Sequence, residues 1–247
     1  MSFLSPSSTP VGNKRFARDL LTSDNLRGKW RRQVYPRDVP GLTCAGRLDA
    51  DSSGLLLWTD DEALAQHVIG PDSPVEKEYI VRISGQANYL PEELERSLKL
   101  LQSGLSLDGV ALKPADVAWL NESQLRFVLR EGRYRQIRRM LMLVGLDVQV
   151  PQPCPNPHVA FVRSSLQPVI WMLRAHEVFL MRVSTGQALK RVRIGKLRLA
   201  GLPVGHWAPL SPAQASSMFL PSFKTAQAAE ASSVRSSQPR KSRSPRS

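Results

Sequence analysis

Three stretches of the chain carry residue types that could do chemistry. GRLDADSSGLLLWT, from Gly46 to Thr59, sets the carboxylate of Asp49 in a polar turn directly ahead of an apolar run. A carboxylate placed this way can act as a nucleophile or accept a proton; equally, it can cap a helix or bond its own backbone through an Asx-turn. Asp51, Ser52 and Ser53 are turn formers and suit the second role. A glycoside-cleaving pair would want a second carboxylate at a defined distance, and Asp51 is the near candidate. In EKEYIVRI, Glu76 to Ile83, Tyr79 follows Lys77 by two residues, a ring that in a strand is ordinarily core. EGRYRQIRRMLMLVG, Glu131 to Gly145, gathers Arg133, Arg135, Arg138 and Arg139, cations that on a helix ordinarily form a solvated face.

The elements that must position these residues follow from periodicity. Leu55 to Trp58 is a continuous apolar run, as in a buried strand. Asp60, Asp61 and Glu62 could be imagined as a metal site, but as the acidic first turn of a helix over 62–69 they are explained by capping. His67, inside that apolar pattern and without Cys or His partners at ligand spacing, reads as structural. Glu76 to Ile83 alternates as a strand, with Tyr79, Val81 and Ile83 on one face. A helix over 91–104 is opened by Pro91 and closed by Gly104, and strands follow at 112–120 and 124–130. Ile137, Met140, Leu141 and Val144 then mark one face of a helix, with Arg135, Arg138 and Arg139 on the other side.

GRLD with its Ser-Gly spacer and Leu-Leu-Leu run, the Lys-x-Tyr-x-Val strand and the Glu-Gly-Arg-x-x-Gln-x-Arg-Arg-Met helix resemble the motifs of the RsuA/RluB/RluE/RluF group of RNA pseudouridine synthases. The resemblance implies an α+β fold, a mixed, mainly antiparallel β-sheet with flanking helices. It implies an enzyme that isomerises a specific uridine of ribosomal RNA, expected in the large subunit, with no metal and no organic cofactor. Asp49 would be the catalytic carboxylate, Tyr79 would stack on the target base, and Arg138 would pair with the carboxylate. Arg47 would hold phosphate or open the base stack, while Lys77, Arg133, Arg135, Gln136 and Arg139 would bind substrate. Relatives usually begin with an Asn-Lys-Pro-x-Gly strand, of which Asn13-Lys14-Arg15 keeps little. There is no room for the small S4 domain that many relatives carry ahead of the catalytic one, so the RluE-like branch is the nearest match, and a monomer is expected.

Composition agrees with a polyanion partner. Of 247 residues 42% are hydrophobic, and the net charge of +13 is concentrated at the ends. Residues 1–45 hold eight basic and three acidic side chains and residues 190–247 eleven and one, leaving the middle slightly acidic. Such ends suit RNA with a salt-dependent affinity, or are simply solvated tails. Cys44 and Cys154 have neither metal nor disulfide spacing, which favours a reducing compartment. No apolar run is long enough to span a membrane, and the N-terminus lacks a secretory signal core. The expectation is a soluble intracellular protein, in the cytoplasm or, in a eukaryote, a plastid or mitochondrion, although Asp19 and Asp24 argue against a transit peptide.

Residues 1–28 read as an irregular extension, 29–210 as the catalytic domain and 211–247 as a disordered basic, Ser-rich tail. The family pattern of the last strands starts at Val148 and resumes in LKRVRIGKLRLAGLPVGHW, Leu189 to Trp207. Removing Val150 to Gln187, 38 residues with five prolines, restores its spacing. The segment opens with Val, whose codons start GT, and closes with Gln, one of whose codons is CAG, as a retained intron would; a loop insertion is the other reading. As a foreign insert it would leave Ile170, Trp171, Met172, Leu173, Val178, Phe179, Leu180 and Met181 without a core. It would also open an alternative function, a non-catalytic RNA-binding protein inactivated by the insertion.

Overall fold

The computed structural model describes residues 17–30, 35–49, 52–84, 89–149, 178–183, 188–199 and 201–217. Asn13-Lys14-Arg15, Asp51, Cys154, residues 150–177 and 184–187 of the suspected insert, and the tail from residue 218 lie outside them.

The apolar run after the Asp49 turn is a strand covered on both faces, which is why it does not alternate. Thr43–Cys44 (β1) lies antiparallel to Ser53–Thr59 (β2), and every residue of β2 is buried. Leu55 and Leu57 enter one core cluster, Leu56 and Trp58 another. The helix Glu62–Ile69 (α1) is capped by Asp61, whose carboxylate accepts the Leu64 N–H at 3.0 Å. That accounts for the acidic triplet as a cap; among the described residues no group of three or more His, Cys, Asp or Glu is placed to hold a metal.

Lys77–Ser84 (β3), Pro91–Gln102 (α2), a small hairpin of Ser106–Leu107 (β4) and Val110–Ala111 (β5), then Asp116–Asn121 (β6), Gln124–Leu129 (β7) and Gln136–Leu143 (α3) follow. Asp108 and Gly109, both at positive φ (54° and 76°), make the two-residue turn between β4 and β5. Asp147–Val148 (β8), Val178–Val183 (β9), Leu189–Ile194 (β10), Leu197–Arg198 (β11), Trp207–Pro209 (β12) and Pro212–Ser216 (α4) come last among the described residues. Among those residues the main sheet has ten strands, in the order β12-β9-β2-β10-β3-β7-β6, with β1, β11 and β8 attached to β2, β10 and β3. Its pairings are antiparallel except β2 with β10, so the fold is the expected α+β arrangement with a mixed sheet. Leu101 of α2 and Ile137, Met140 and Leu141 of α3 pack on Val81, Leu125 and Phe127, while α1 packs beside β2.

Four expectations need correction. Residues 178–183 are not stranded without a core: β9 lies between β2 and β12 and pairs with both. Val178 and Leu180 point into one cluster and Phe179, Met181 and Val183 into another, so the strand is buried on both faces like β2. Residues 17–30, which open with a 3-10 turn at Ala17–Leu20, belong to the body. Ala17 and Leu21 are fully buried, Trp207 donates its backbone N–H to Asn25 and accepts that of Arg27, and Trp30 stacks against Phe179 and Trp207 at 5.2 and 5.5 Å. Residues 211–217 are ordered as well, because Ser211 caps α4 and Ala215 packs on the core. Finally, Arg135 stands outside α3 as its N-cap, in the left-handed conformation with φ 49°, rather than on a helical face.

Candidate active site

The three motifs meet at one cleft of about 470 Å³. The turn after β1 supplies Gly46, Arg47, Leu48 and Asp49; β3 supplies Lys77 and Tyr79; the loop into α3 supplies Glu131 to Arg138. All the residues singled out from sequence therefore line one space, except Arg139. That arginine is not among the cleft-lining residues and pairs with the Asp108 carboxylate at the β4–β5 turn.

Six cations, Arg47, Lys77, Arg133, Arg135, Arg138 and Arg191, share the cleft with two carboxylates, Asp49 and Glu131. Glu131 braces the loop into α3. It accepts the Lys113 N–H at 3.0 Å and the Gln136 side-chain amide at 2.9 Å, and pairs with Arg133 at 3.5 Å. Gln136, expected to touch substrate, instead fixes this loop, since its carbonyl oxygen accepts the Arg133 N–H at 2.9 Å while its amide holds Glu131. Asp49 is the other carboxylate lining the cleft. Its backbone carbonyl accepts the Ser52 N–H at 3.0 Å, which closes the turn that leads into β2.

Arg191, on β10, is not among the residues singled out from sequence, although the Leu-x-Arg-Val pattern of the last strands contains it. It is only 2% exposed, and its guanidinium fork organises the Asp49 turn. Nε donates to the Leu55 carbonyl at 2.8 Å, and the two terminal nitrogens donate to the carbonyls of Gly46 at 2.9 Å and Arg47 at 3.2 Å. The fork reaches them because β2 and β10 approach unusually closely where Gly54 faces Arg191 in the parallel ladder. Gly54 has φ +119°, and a Cβ there would sit 2.1 Å from the Arg191 carbonyl oxygen, so only glycine fits.

Charge at the floor of the cleft is strained. Lys77 is 6% exposed; its burial, with Arg191 and Lys113 nearby, pulls the ammonium down to about 8. Its ammonium reaches the Arg130 carbonyl at 3.5 Å. The half-buried Cys44 thiol is pushed up to about 12 by desolvation, despite Arg191 and Arg47, and so is protonated at neutral pH. Together these groups make an anion-attracting cleft that also holds the carboxylates Asp49 and Glu131 and the aromatic ring of Tyr79 from β3.

Known proteins share these features. A family model described as RNA pseudouridylate synthase matches residues 6–143, beginning well before residue 29. Ribosomal large subunit pseudouridine synthase B of Vibrio vulnificus is 37% identical over 119 residues, covering 44% of this chain and 35% of that protein. Ribosomal large subunit pseudouridine synthase E of Xanthomonas axonopodis pv. citri is 34% identical over 128 residues, covering 43% and 63%. A solved structure described as a crystal structure of pseudouridylate synthase superposes with a TM-score of 0.51 and 25% identity, over 72% of this chain and 60% of that one. The chain thus spans less than two thirds of the length of each of these relatives. Matched over more than half its length by the family model, and bringing its three motifs together at one cleft, the chain belongs to the RNA pseudouridylate synthases, in the group that includes RsuA, RluB and RluE.

Proposed function

We propose that this protein isomerises a uridine of large-subunit ribosomal RNA to pseudouridine, with Asp49 as the catalytic carboxylate. The observation that carries this reading is the convergence of Asp49, Tyr79 and Arg138 on one cationic cleft from three separate elements. Isomerisation breaks the bond between C1′ and N1, turns the base and joins its C5 to C1′, with no outside reactant. An ionised Asp49 starts it, either by attacking the nucleoside or by taking the proton from C2′, and the last step removes the proton from C5. Arg138 favours the charged carboxylate in a cleft whose closure over RNA would otherwise disfavour it. Tyr79 gives the flipped uracil a face to stack on in place of the neighbours it has lost. The surrounding arginines neutralise phosphates, which sets affinity but not sequence choice.

The alternative, an RNA-binding protein whose site is broken by the segment before β10, fits the geometry less well. β9 completes the sheet beside β2, and the Asp49 turn is anchored to β10 by Arg191. Mapping pseudouridine in ribosomal RNA from cells with and without the gene tests the proposal. Loss of at least one site is expected in the deletion strain, and an identical pattern would refute it.

A further inference from the structure

Tyr134 is the most exposed aromatic side chain among the described residues, at 73%, and it stands in the cleft wall. Tyr35, the other aromatic among the exposed described residues, is at 36% and lies outside the cleft. Leaving such a ring in water forgoes its burial, so the loop beneath it must either be pliant or hold it out for a partner. The loop is not pliant. Gln136 binds Arg133 through both its side-chain oxygen (2.9 Å) and its backbone N–H (3.2 Å), and Glu131 ties the same loop to the Lys113 backbone at 3.0 Å. Arg135 takes the left-handed conformation at φ 49°, a cost of about 1–2 kcal/mol for a non-glycine residue, and so turns the chain from exposed Tyr134 to buried Gln136. The result is an exposed ring on a hydrogen-bonded loop, between Arg133 and Arg135 in the sequence, in the wall of a cleft that Tyr79 also lines.

A flat ring between cations is the chemistry that grips single-stranded nucleic acid, by base stacking with phosphate neutralisation beside it. We propose that Tyr134 stacks on the base of an unpaired nucleotide next to the flipped uridine, so that the cleft selects targets lying in single-stranded or distorted RNA. This rests on the proposed RNA-modifying function, and it assigns to Tyr134 a neighbour of the target where Tyr79 receives the target itself.

The test compares the full chain with Tyr134→Phe and Tyr134→Ala, using a labelled short oligouridine, an RNA duplex of equal length, and unmodified ribosomal RNA transcript. Tyr134→Ala should weaken oligouridine binding by about 5- to 150-fold, the value of one base–aromatic stack. Tyr134→Phe should bind like the unaltered protein, and duplex binding should change for neither. Melting temperatures report that the substitutions leave the fold intact, as expected for so exposed a side chain. Equal oligouridine affinity for all three proteins, an equal loss on duplex, or no oligouridine binding by the unaltered chain would overturn the inference. Pseudouridine formed on the transcript by the unaltered chain is read separately: its absence alongside Tyr134-dependent oligouridine binding would refute the proposed reaction and leave the stacking site standing.

Discussion

Replacing Arg191 with Met keeps most of the side-chain volume and removes every donor. Three backbone carbonyls lose a charge-assisted bond, those of Leu55, Gly46 and Arg47. The last two border the cleft and can find water; that of Leu55 is buried, and leaving it unpaired costs about 1–3 kcal/mol. The weaker bonds at the turn add to this, while removal of a buried cation relieves part of its desolvation. A net loss of roughly 2–4 kcal/mol, or about 4–16 °C in Tm for a chain of this size, is expected. The sharper effect is on turnover. Gly46 and Arg47 lie directly before Asp49, so a turn without its fork loses the carboxylate's placement. Misplacement by about 1 Å can cost on the order of 100-fold in rate. RNA affinity, carried by the other cleft cations, should move little. Arg191→Lys keeps the charge but gathers its donors on a single nitrogen in place of the planar fork, and should fall between. Differential scanning calorimetry and single-turnover assays on ribosomal RNA transcript measure both. An Arg191→Met protein with unchanged melting and a rate within two-fold of the unaltered chain would refute the reasoning.

Deleting Val150 to Gln187 should prevent folding rather than improve it, because β9 goes with it. Each of its buried side chains, Val178, Phe179, Leu180, Met181 and Val183, stabilises by about 1.5–3 kcal/mol, and five together rival the net stability of about 5–15 kcal/mol of a typical domain. A soluble, cooperatively melting deletion variant would restore the view of the segment as foreign. Lys77 should leave a signature in pH. Its ammonium titrates near 8 in the folded chain against 10.5 ordinarily, so between those values the unfolded chain holds the extra proton and stability rises with pH. Denaturant midpoints at neutral pH and between pH 8 and 10.5 should show that rise in the unaltered chain and not in Lys77→Met; parallel profiles would remove Lys77 as its source. Tyr79→Phe should keep RNA affinity and slow product formation if the hydroxyl takes part in proton removal, and unchanged single-turnover rates would confine Tyr79 to stacking.

The parts of the fold written in short-range pattern are legible in the sequence. Asp61 announces α1, Pro91 opens α2, and the alternation around Tyr79 marks β3. The three motifs that carry the family resemblance likewise meet at one cleft, with Asp49, Tyr79 and Arg138 among its lining. What escapes is long-range. β9 opens on the apolar run Val178-Phe179-Leu180-Met181, broken only by Arg182 before Val183, but its partner β2 lies more than a hundred residues away. Arg191 looks like one basic residue among several until the parallel β2–β10 contact carries its fork to Gly46. Gln136 and Arg139 read as substrate residues because both fall within the motif that carries the family resemblance. Only the geometry shows that one braces the Glu131 loop and the other meets Asp108.

The central claim is that Asp49 performs the isomerisation. Unmodified ribosomal RNA transcript incubated with the full chain or with Asp49→Asn, followed by site-resolved detection of pseudouridine, tests it most directly. The amide preserves shape and hydrogen-bonding bulk but is neither nucleophile nor base, so Asp49→Asn should bind the transcript with near-normal affinity and form no pseudouridine where the unaltered chain converts one uridine. Comparable conversion by Asp49→Asn would contradict the account.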